Sequence, residues 1–583
     1  MSRLELKGTP VSPGVGLGPA WIIVDPSARQ SPRRTLTEEA PEAALERFEE
    51  ARALAVEDLQ RIQAATTREL GIQDAAIYGA QIAVVQDPDA HRAIRKLILE
   101  ERLEPESAIQ ALIDRFEGLF ESLEGGEIKN WVADLRDPWL CVVRELESVG
   151  EELLDHDGGP GPVAVAEELT PSLVTRHHRH PLSGIVCNRG GRFSHGAVLA
   201  RSFGIPTVTG LDHVHSKAIS GEQLVVLGEE GRVLLGVDSR EKGIAERLAA
   251  EREQVQSVLL EAATRPGATA DGTPVAVSVN IESPQDLAMF DPFTTAGVGL
   301  FRTEFAYMER PSFPSEADQT EIYASILEKF PGKPVVFRTL DIGGDKQLRY
   351  FKHPKEANPA LGWRGLRLSL EWQDLFLMQV SALLKARQFG DARIMLPMVT
   401  TVEELRLARD LIAQVCAGKQ SIPVGIMIEV PAAAMALREL AMDADFISVG
   451  TNDLTQYLFA VDRDNPWVAD LYQPYHPAHL RILRHIARTC GAVGKPVSVC
   501  GEMAGQKTGA LFLAGAGFRH LSVAPPFVAE VKAILREVPI EELRRLAHAA
   551  AASHTSTEAL NILRNAADHY WQGIVQRAVS SSA

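Results

Sequence analysis

Between residues 275 and 524 eight short apolar runs recur, and helical stretches separate most of them. They are VAVSVNI (275–281), VGLFR (298–302), PVVFRTL (334–340), RIMLPMV (393–399), VGIMIEV (424–430), FISVG (446–450), PVSVC (496–500) and HLSVA (520–524). Short runs of this kind suit strands of a parallel sheet that helices cover on its outer face. Eight strands alternating with helices over roughly 310 residues is the count of a (β/α)8, or TIM-type, barrel. Such barrels carry their reactive groups at the C-terminal ends of the strands, so the pattern also says where chemistry belongs.

At 583 residues the chain exceeds one ordinary domain. Its first ~24 residues, rich in Gly, Pro and Val, read as strands and turns. From Leu36 to about Leu146 the periodicity becomes helical, with Leu45, Phe48, Leu59 and Ile62 on one face and further helices at about 74–86, 89–101 and 105–123. Between about 160 and 236 the strand-like runs VAVA, GIVC, PTVTG, QLVVLG and RVLLG return. The expected architecture is therefore multidomain α/β. Residues 1–24 and 147–236 form a compact α/β domain, 25–146 a helical insert, 237–264 a linker helix and 265–583 the barrel. The tail after Gln576, RAVSSSA, reads as disordered.

The net charge of −17 argues against a general nucleic-acid binder, although a few arginines can still build a positive pocket. No segment approaches the ~20 apolar residues of a membrane span. Cys141, Cys187, Cys416, Cys490 and Cys500 are widely spaced with no CxxC pair, which fits free thiols in a reducing compartment, the cytoplasm.

In GGRFSHGAVLARSFG, Ser194 can cap a short helix that begins at His195 and ends at Gly204. A helix N-terminus behind a glycine turn suits an anion, so His195 can accept a phosphoryl group held by local donors. The alternative is a structural histidine at a helix start. The barrel's strand ends carry Arg302, Arg338, Glu429, Asn452 with Asp453, and Cys500. Arginines match phosphate oxygens bidentately, and Arg463 beyond Asp453 adds a third positive contact. Glu429 and Asp453 are hard oxygen donors for Mg²⁺. Cys500 is either an acid or a buried small hydrophobe. Lys346 in DIGGDK and Arg364 in NPALGWRGLR either hold phosphate or sit on solvated loops.

Taken together, GGRFSH with AVLARS, GLFRTEFAYM, FRTLDIGGDK, ANPALGWRGLR, IMIEVPAAA, SVGTNDLTQY, AVDRDNP, YQPYHP and CGEMAG resemble enzyme I of the phosphoenolpyruvate:sugar phosphotransferase system. This is the phosphoenolpyruvate–protein phosphotransferase family, and the resemblance spans nearly the whole chain. It implies that His195 takes the phosphoryl group of phosphoenolpyruvate and passes it to a histidine of the small carrier HPr. It also implies that Arg302, Arg338, Arg364 and Arg463 line the substrate site with Lys346 nearby, and that Asn452 contacts the substrate. By the same resemblance Glu429 and Asp453 bind Mg²⁺, Cys500 protonates the enolate carbon to give pyruvate, and the protein is a homodimer through the barrel.

Several positions depart from the family pattern. Asn188 stands where an aspartate is usual, Gly196 follows the histidine in place of Thr or Ala, and Val174 replaces a threonine that orients the histidine. In the carrier-binding helix IYGAQIAVVQDPDA, Gly79 and Gln81 replace an acid and a histidine, and Ala83 and Val84 replace larger apolar residues. Pro138, after Arg136 and Asp137, is expected to end or kink its helix. These changes predict an HPr-like partner with an altered interface. Two other readings are a nucleotide-using dikinase or phosphoenolpyruvate synthase, and a regulatory relative that no longer turns over.

Overall fold

The computed structural model describes residues 4–580 except 24–33, 37–39, 70–71, 121–125, 148–160, 179–180, 192–193, 309, 311, 344–347, 349, 352–353, 355, 418–420, 464 and 466. The chain divides into two compact units, Met1–Glu253 and Gln254–Ala583.

The first unit is built on eight strands: β1 (Leu4–Lys7), β2 (Thr9–Ser12), β3 (Val15–Ile22), β4 (Val163–Glu168), β5 (Gly184–Arg189), β6 (Thr207–Thr209), β7 (Gln223–Leu227) and β8 (Arg232–Leu235). Their order in the sheet is β1-β8-β7-β3-β4-β5-β6-β2. β3 and β4 are parallel neighbours with Ala20 opposite Val163, although a block of helices lies between them in sequence. The helices Pro41–Glu69, Ile72–Val85, Pro88–Leu99, Pro105–Phe120 and Gly126–Glu147 form that insert. β4 is buried on both faces: Val163 and Val165 join Val186, Val208 and Val226 on one side. Ala164 and Ala166 join Phe48, Tyr78 and Trp139 of the insert on the other. The insert is thus packed onto the sheet by small alanines that let its large side chains come close.

Pro138 does not break its helix, contrary to expectation: Gly126–Glu147 runs through it. Proline forfeits one N–H bond, but full burial of Trp139 and Val142 just after it favours continuing the helix.

The second unit contains a closed barrel of eight parallel strands. They are β9 (Ala276–Ile281), β10 (Val298–Arg302), β11 (Pro334–Arg338), β12 (Asp391–Leu396), β13 (Val424–Ile428), β14 (Ile447–Val449), β15 (Val497–Val499) and β16 (His520–Val523). β16 closes onto β9 with Leu521 opposite Val277. Val277, Val279 and Ile281 join the core shared with the surrounding helices, so the alternate residues of β9, Ala276, Ser278 and Asn280, face the interior. The C-terminal helix, Ser556–Ser580, continues through most of the tail expected to be disordered. Its last turns bury Ile574 and Ala578, which ties them to the fold. A helix Ser239–Thr264 spans the point where the chain divides. Among the described residues no helix is long and apolar enough to cross a membrane.

Candidate active site

Arg302 and Arg338 lie opposite each other in the β10–β11 register, so two guanidiniums leave adjacent strand ends at one level. They line a cavity of about 320 Å³ together with Arg364, Glu429, Asn452, Asp453, Arg463 and Cys500. Eight of the ten residues singled out from the sequence therefore share one cavity. Lys346 lies outside the described residues, and His195 belongs to the other unit.

The arginines are held by carboxylates that the sequence did not single out. Arg338 Nη2 reaches Glu304 Oε1 at 2.6 Å and its Nη1 reaches Asp341 Oδ2 at 3.1 Å. Arg364 Nη2 donates to the same Asp341 oxygen at 2.9 Å, and its Nη1 donates to the Tyr457 hydroxyl at 3.2 Å and lies 3.6 Å from Asp453 Oδ1. Burial opposes the charge on both guanidiniums, but the facing carboxylates outweigh it and raise both pKa values. Arg302, more exposed, pairs with Glu282. Glu304 and Asp341 were detectable only as acids in the same RTEF and TLDIGG segments as the arginines; nothing in a linear string marks an acid as buried.

Glu429 is buried, with Oε2 accepting the Met398 N–H at 2.8 Å. Burial, and then repulsion from Asp453 and Asp341, raise its pKa well above the ordinary carboxylate value, against the pull of Arg338 and Arg364. Carboxylates crowded in this way gain from a cation between them. Two carboxylates suit Mg²⁺, which takes its remaining ligands from water and phosphate. Among the described residues no three His, Cys, Asp or Glu side chains group to hold a metal unaided.

Cys500 is buried beside this cluster. The Ser448 hydroxyl donates to its Sγ at 3.3 Å and the thiol faces the Val449 carbonyl at 3.6 Å. Burial pushes the thiol up to about 11, so it stays protonated at neutral pH. Asn452 donates to Glu502 Oε1 at 2.9 Å and accepts the Glu502 N–H at 3.1 Å, which pins the turn that follows Cys500. The Arg463 N–H donates to Gln456 Oε1 at 3.2 Å, which fixes the backbone of that loop.

In the first unit His195 is exposed at the start of the helix His195–Ser202, and Ser194 Oγ accepts the Ala197 N–H at 3.3 Å as its cap. Gly196 is buried: a Cβ there would lie 2.8 Å from the Leu169 carbonyl oxygen and 3.0 Å from the Thr170 carbonyl carbon. The glycine thus permits a close approach of this helix to the backbone before Pro171–Thr175. Val174 is fully buried, and Thr175 spends its hydroxyl on the Ser172 and Pro171 carbonyls, at 3.0 and 3.3 Å. Asn188 donates to Glu167 and accepts the His215 N–H at 3.3 Å.

Asp137, on the insert, is buried and was not singled out. It accepts the Ser172 N–H at 3.1 Å, the Ser172 hydroxyl at 2.5 Å and the Gln81 amide at 3.0 Å. Gln81 is therefore an interior residue, whereas Ala83 is exposed.

Residues 258–540 match the family described as PEP-utilising enzyme, PEP-binding domain. Residues 7–129 match PEP-utilising enzyme, N-terminal, and 158–231 match PEP-utilising enzyme, mobile domain. A protein of Bacillus sp. named phosphoenolpyruvate-protein phosphotransferase is 36% identical over 570 residues, covering 96% of this chain and 97% of its own. Proteins of the same name from Lactococcus lactis and Listeria monocytogenes are 36% and 35% identical, over 95% and 96% of this chain and 97% and 98% of theirs.

Proposed function

The chain belongs to the phosphoenolpyruvate-protein phosphotransferases, and on that premise we propose that it transfers the phosphoryl group of phosphoenolpyruvate to His195 and then to a histidine of an HPr-like phosphocarrier, releasing pyruvate. The observation that carries this reading is the cavity into which four arginines, Glu429, Asp453 and a protonated thiol converge.

Each side chain has a task there. Arg302, Arg338, Arg364 and Arg463 receive the phosphate and carboxylate oxygens, with Lys346 as a further contact and Asn452 beside them. Glu429 and Asp453 hold Mg²⁺, which when bound neutralises charge on the phosphate oxygens. An imidazole nitrogen of His195 attacks phosphorus in line, and the P–O bond to the enol oxygen breaks. The thiol of Cys500 then gives its proton to the enolate carbon and pyruvate results. A thiol held near 11 is an acid that does not ionise before that moment. Because the phosphate is held by one unit and His195 belongs to the other, the two must meet during transfer and separate for the carrier.

The carrier docks on the helical insert. Gly79 and the exposed Ala83 offer it neither acid nor large apolar contact, so its matching surface differs from that of a standard HPr. Dimerisation through the barrel has exposed apolar side chains such as Met435, Met442 and Trp467 to draw on. Phosphoenolpyruvate chemistry and the free cysteines support a cytoplasmic location.

Incubation with radiolabelled phosphoenolpyruvate and Mg²⁺ tests the reading. The expected product is an acid-labile, base-stable phosphoprotein that His195→Ala abolishes. Label persisting in that variant removes His195 from the mechanism, and labelling by ATP alone points to a dikinase. Full transfer efficiency to a standard HPr contradicts the altered interface.

A further inference from the structure

TIM-type barrels fill their interior with layers of bulky branched side chains. Here β14 and β15 place Ser448 opposite Ser498, and β16 and β9 place Ser522 opposite Ser278. The hydroxyls near Cys500 form a chain: Ser498 Oγ lies 3.1 Å from Ser448 Oγ, nearer than its other acceptor, the Ile447 carbonyl at 3.4 Å, and Ser448 Oγ donates to Cys500 Sγ at 3.3 Å. Beside them, a Cβ on Gly299 would lie 2.4 Å from Ser522 Oγ and 3.3 Å from Ser278 Cβ, so these two serines meet over a gap left by a glycine. Ser522 Oγ and Asn280 Oδ1 are buried with no protein partner. Buried polar atoms of this kind are met by ordered water.

The exposure of the serines runs the same way. Ser448 and Cys500 are 1% and 4% exposed, while Ser498 and Ser278 are half-buried. None of the four serines lines the cavity at the barrel mouth. The exposed part of Ser498 is therefore not on the mouth cavity.

We propose that Ser498 and Ser448 form a proton relay that recharges Cys500 from the barrel interior while the mouth is still occupied. This rests on the reading of Cys500 as the acid. When the enolate carbon takes the thiol proton, a C–H bond forms, an S–H bond breaks and a thiolate remains. The Ser448 proton moves to sulfur, the Ser498 proton moves to the Ser448 oxygen, and a water proton moves to Ser498, leaving hydroxide to diffuse away. The two serine donors of the chain already lie within hydrogen-bond distance of their acceptors. Ser448 and Ser498 act through Cys500 and touch no substrate, so they are positioning residues.

Carbon and hydrogen exchange separate this role from a structural one. Full-length protein is incubated in D₂O with phosphoenolpyruvate, Mg²⁺ and ¹⁴C-pyruvate. Label exchange between pyruvate and phosphoenolpyruvate reports phosphoryl transfer in both directions and needs no carrier. Deuterium entering the methyl group reports proton exchange between Cys500 and solvent. In the wild type the two keep pace. In Ser448→Ala and in Ser498→Ala the proton taken by sulfur returns to the same carbon, and the ratio of deuterium uptake to carbon exchange falls about tenfold. Ser448→Thr, which keeps a hydroxyl, restores it. A wild-type ratio in both alanine variants overturns the relay. Absence of carbon exchange in the wild type overturns the phosphotransferase reading itself, and the relay with it.

Discussion

Gly196 and Cys500 are residues of opposite character. Gly196 is the only residue type that fits between the start of the His195 helix and the Leu169 carbonyl without displacing backbone. Gly196→Ala is expected to cost the first unit about 1–3 kcal/mol through overpacking, read as a lower unfolding midpoint together with slower labelling of His195. A variant of unchanged stability means that the backbone yields freely there. Cys500 illustrates the converse, a reactive group kept quiet by burial. With its pKa raised from 9.0 to about 11, its thiolate fraction at pH 8 is about a hundredfold below that of an ordinary thiol. Iodoacetamide labelling followed by peptide mass spectrometry is expected to show Cys500 modified at least that much more slowly than a free thiol peptide; labelling at the free-thiol rate shows an ionised, open site. The sequence marks Arg302, Arg338, Glu429 and Cys500 because each sits at the end of an apolar run. It does not mark Glu304, Asp341 or Asp137, since an acid in a loop or helix looks solvated until folding closes other strands or helices over it.

At the scale of elements, the eight barrel strands are legible because their outward residues are buried against the helices and keep each run rich in Val, Ile and Leu. The helix through Pro138 is not, because local stereochemistry argues for a break and only tertiary burial of Trp139 and Val142 overrides it. The helix Pro477–Ala492 gives a pH-dependent prediction. His479 is fully buried on it and donates through Nδ1 to the Pro474 carbonyl at 2.7 Å. Burial lowers its pKa from 6.5 to about 4. The unfolded chain therefore takes up a proton below pH 6.5 that the folded barrel refuses, so stability is full above 6.5 and falls as pH drops towards 4. The loss approaches about 3 kcal/mol. His479→Gln keeps a donor for the carbonyl and cannot titrate, so denaturation curves at pH 7 and pH 4.5 are expected to lie closer together in that variant. An equal pH shift in both proteins assigns the effect to other groups.

Across the whole molecule, the arginines of the barrel cavity and His195 belong to different compact units, each with its own core. Calorimetry of the full-length His195→Ala variant, which cannot be phosphorylated at that position, is expected to show two transitions, of which phosphoenolpyruvate with Mg²⁺ raises only the one that belongs to the barrel. At a hundred times its Kd, ligand adds about 2.7 kcal/mol to that unit. A single transition, or equal displacement of both, contradicts this division of labour. Alternating composition makes the division readable from the chain. The joint inside the first unit is less visible, because it rests on one carboxylate, Asp137, that accepts the Ser172 N–H, the Ser172 hydroxyl and the Gln81 amide.

That carboxylate decides how far the helical insert can be treated as a separable part. Ser172 belongs to the turn against whose approach Gly196 fits, so the insert and the backbone bearing His195 share a latch. A chimera that exchanges the helical insert keeps this joint only if Asp137, Gln81 and the 170–175 turn come from the same chain; an insert lacking Asp137 takes the shared acceptor from the Ser172 N–H, the Ser172 hydroxyl and the Gln81 amide. Redesigning the surface of the insert is therefore a matter of exchanging an interior latch along with the face it supports.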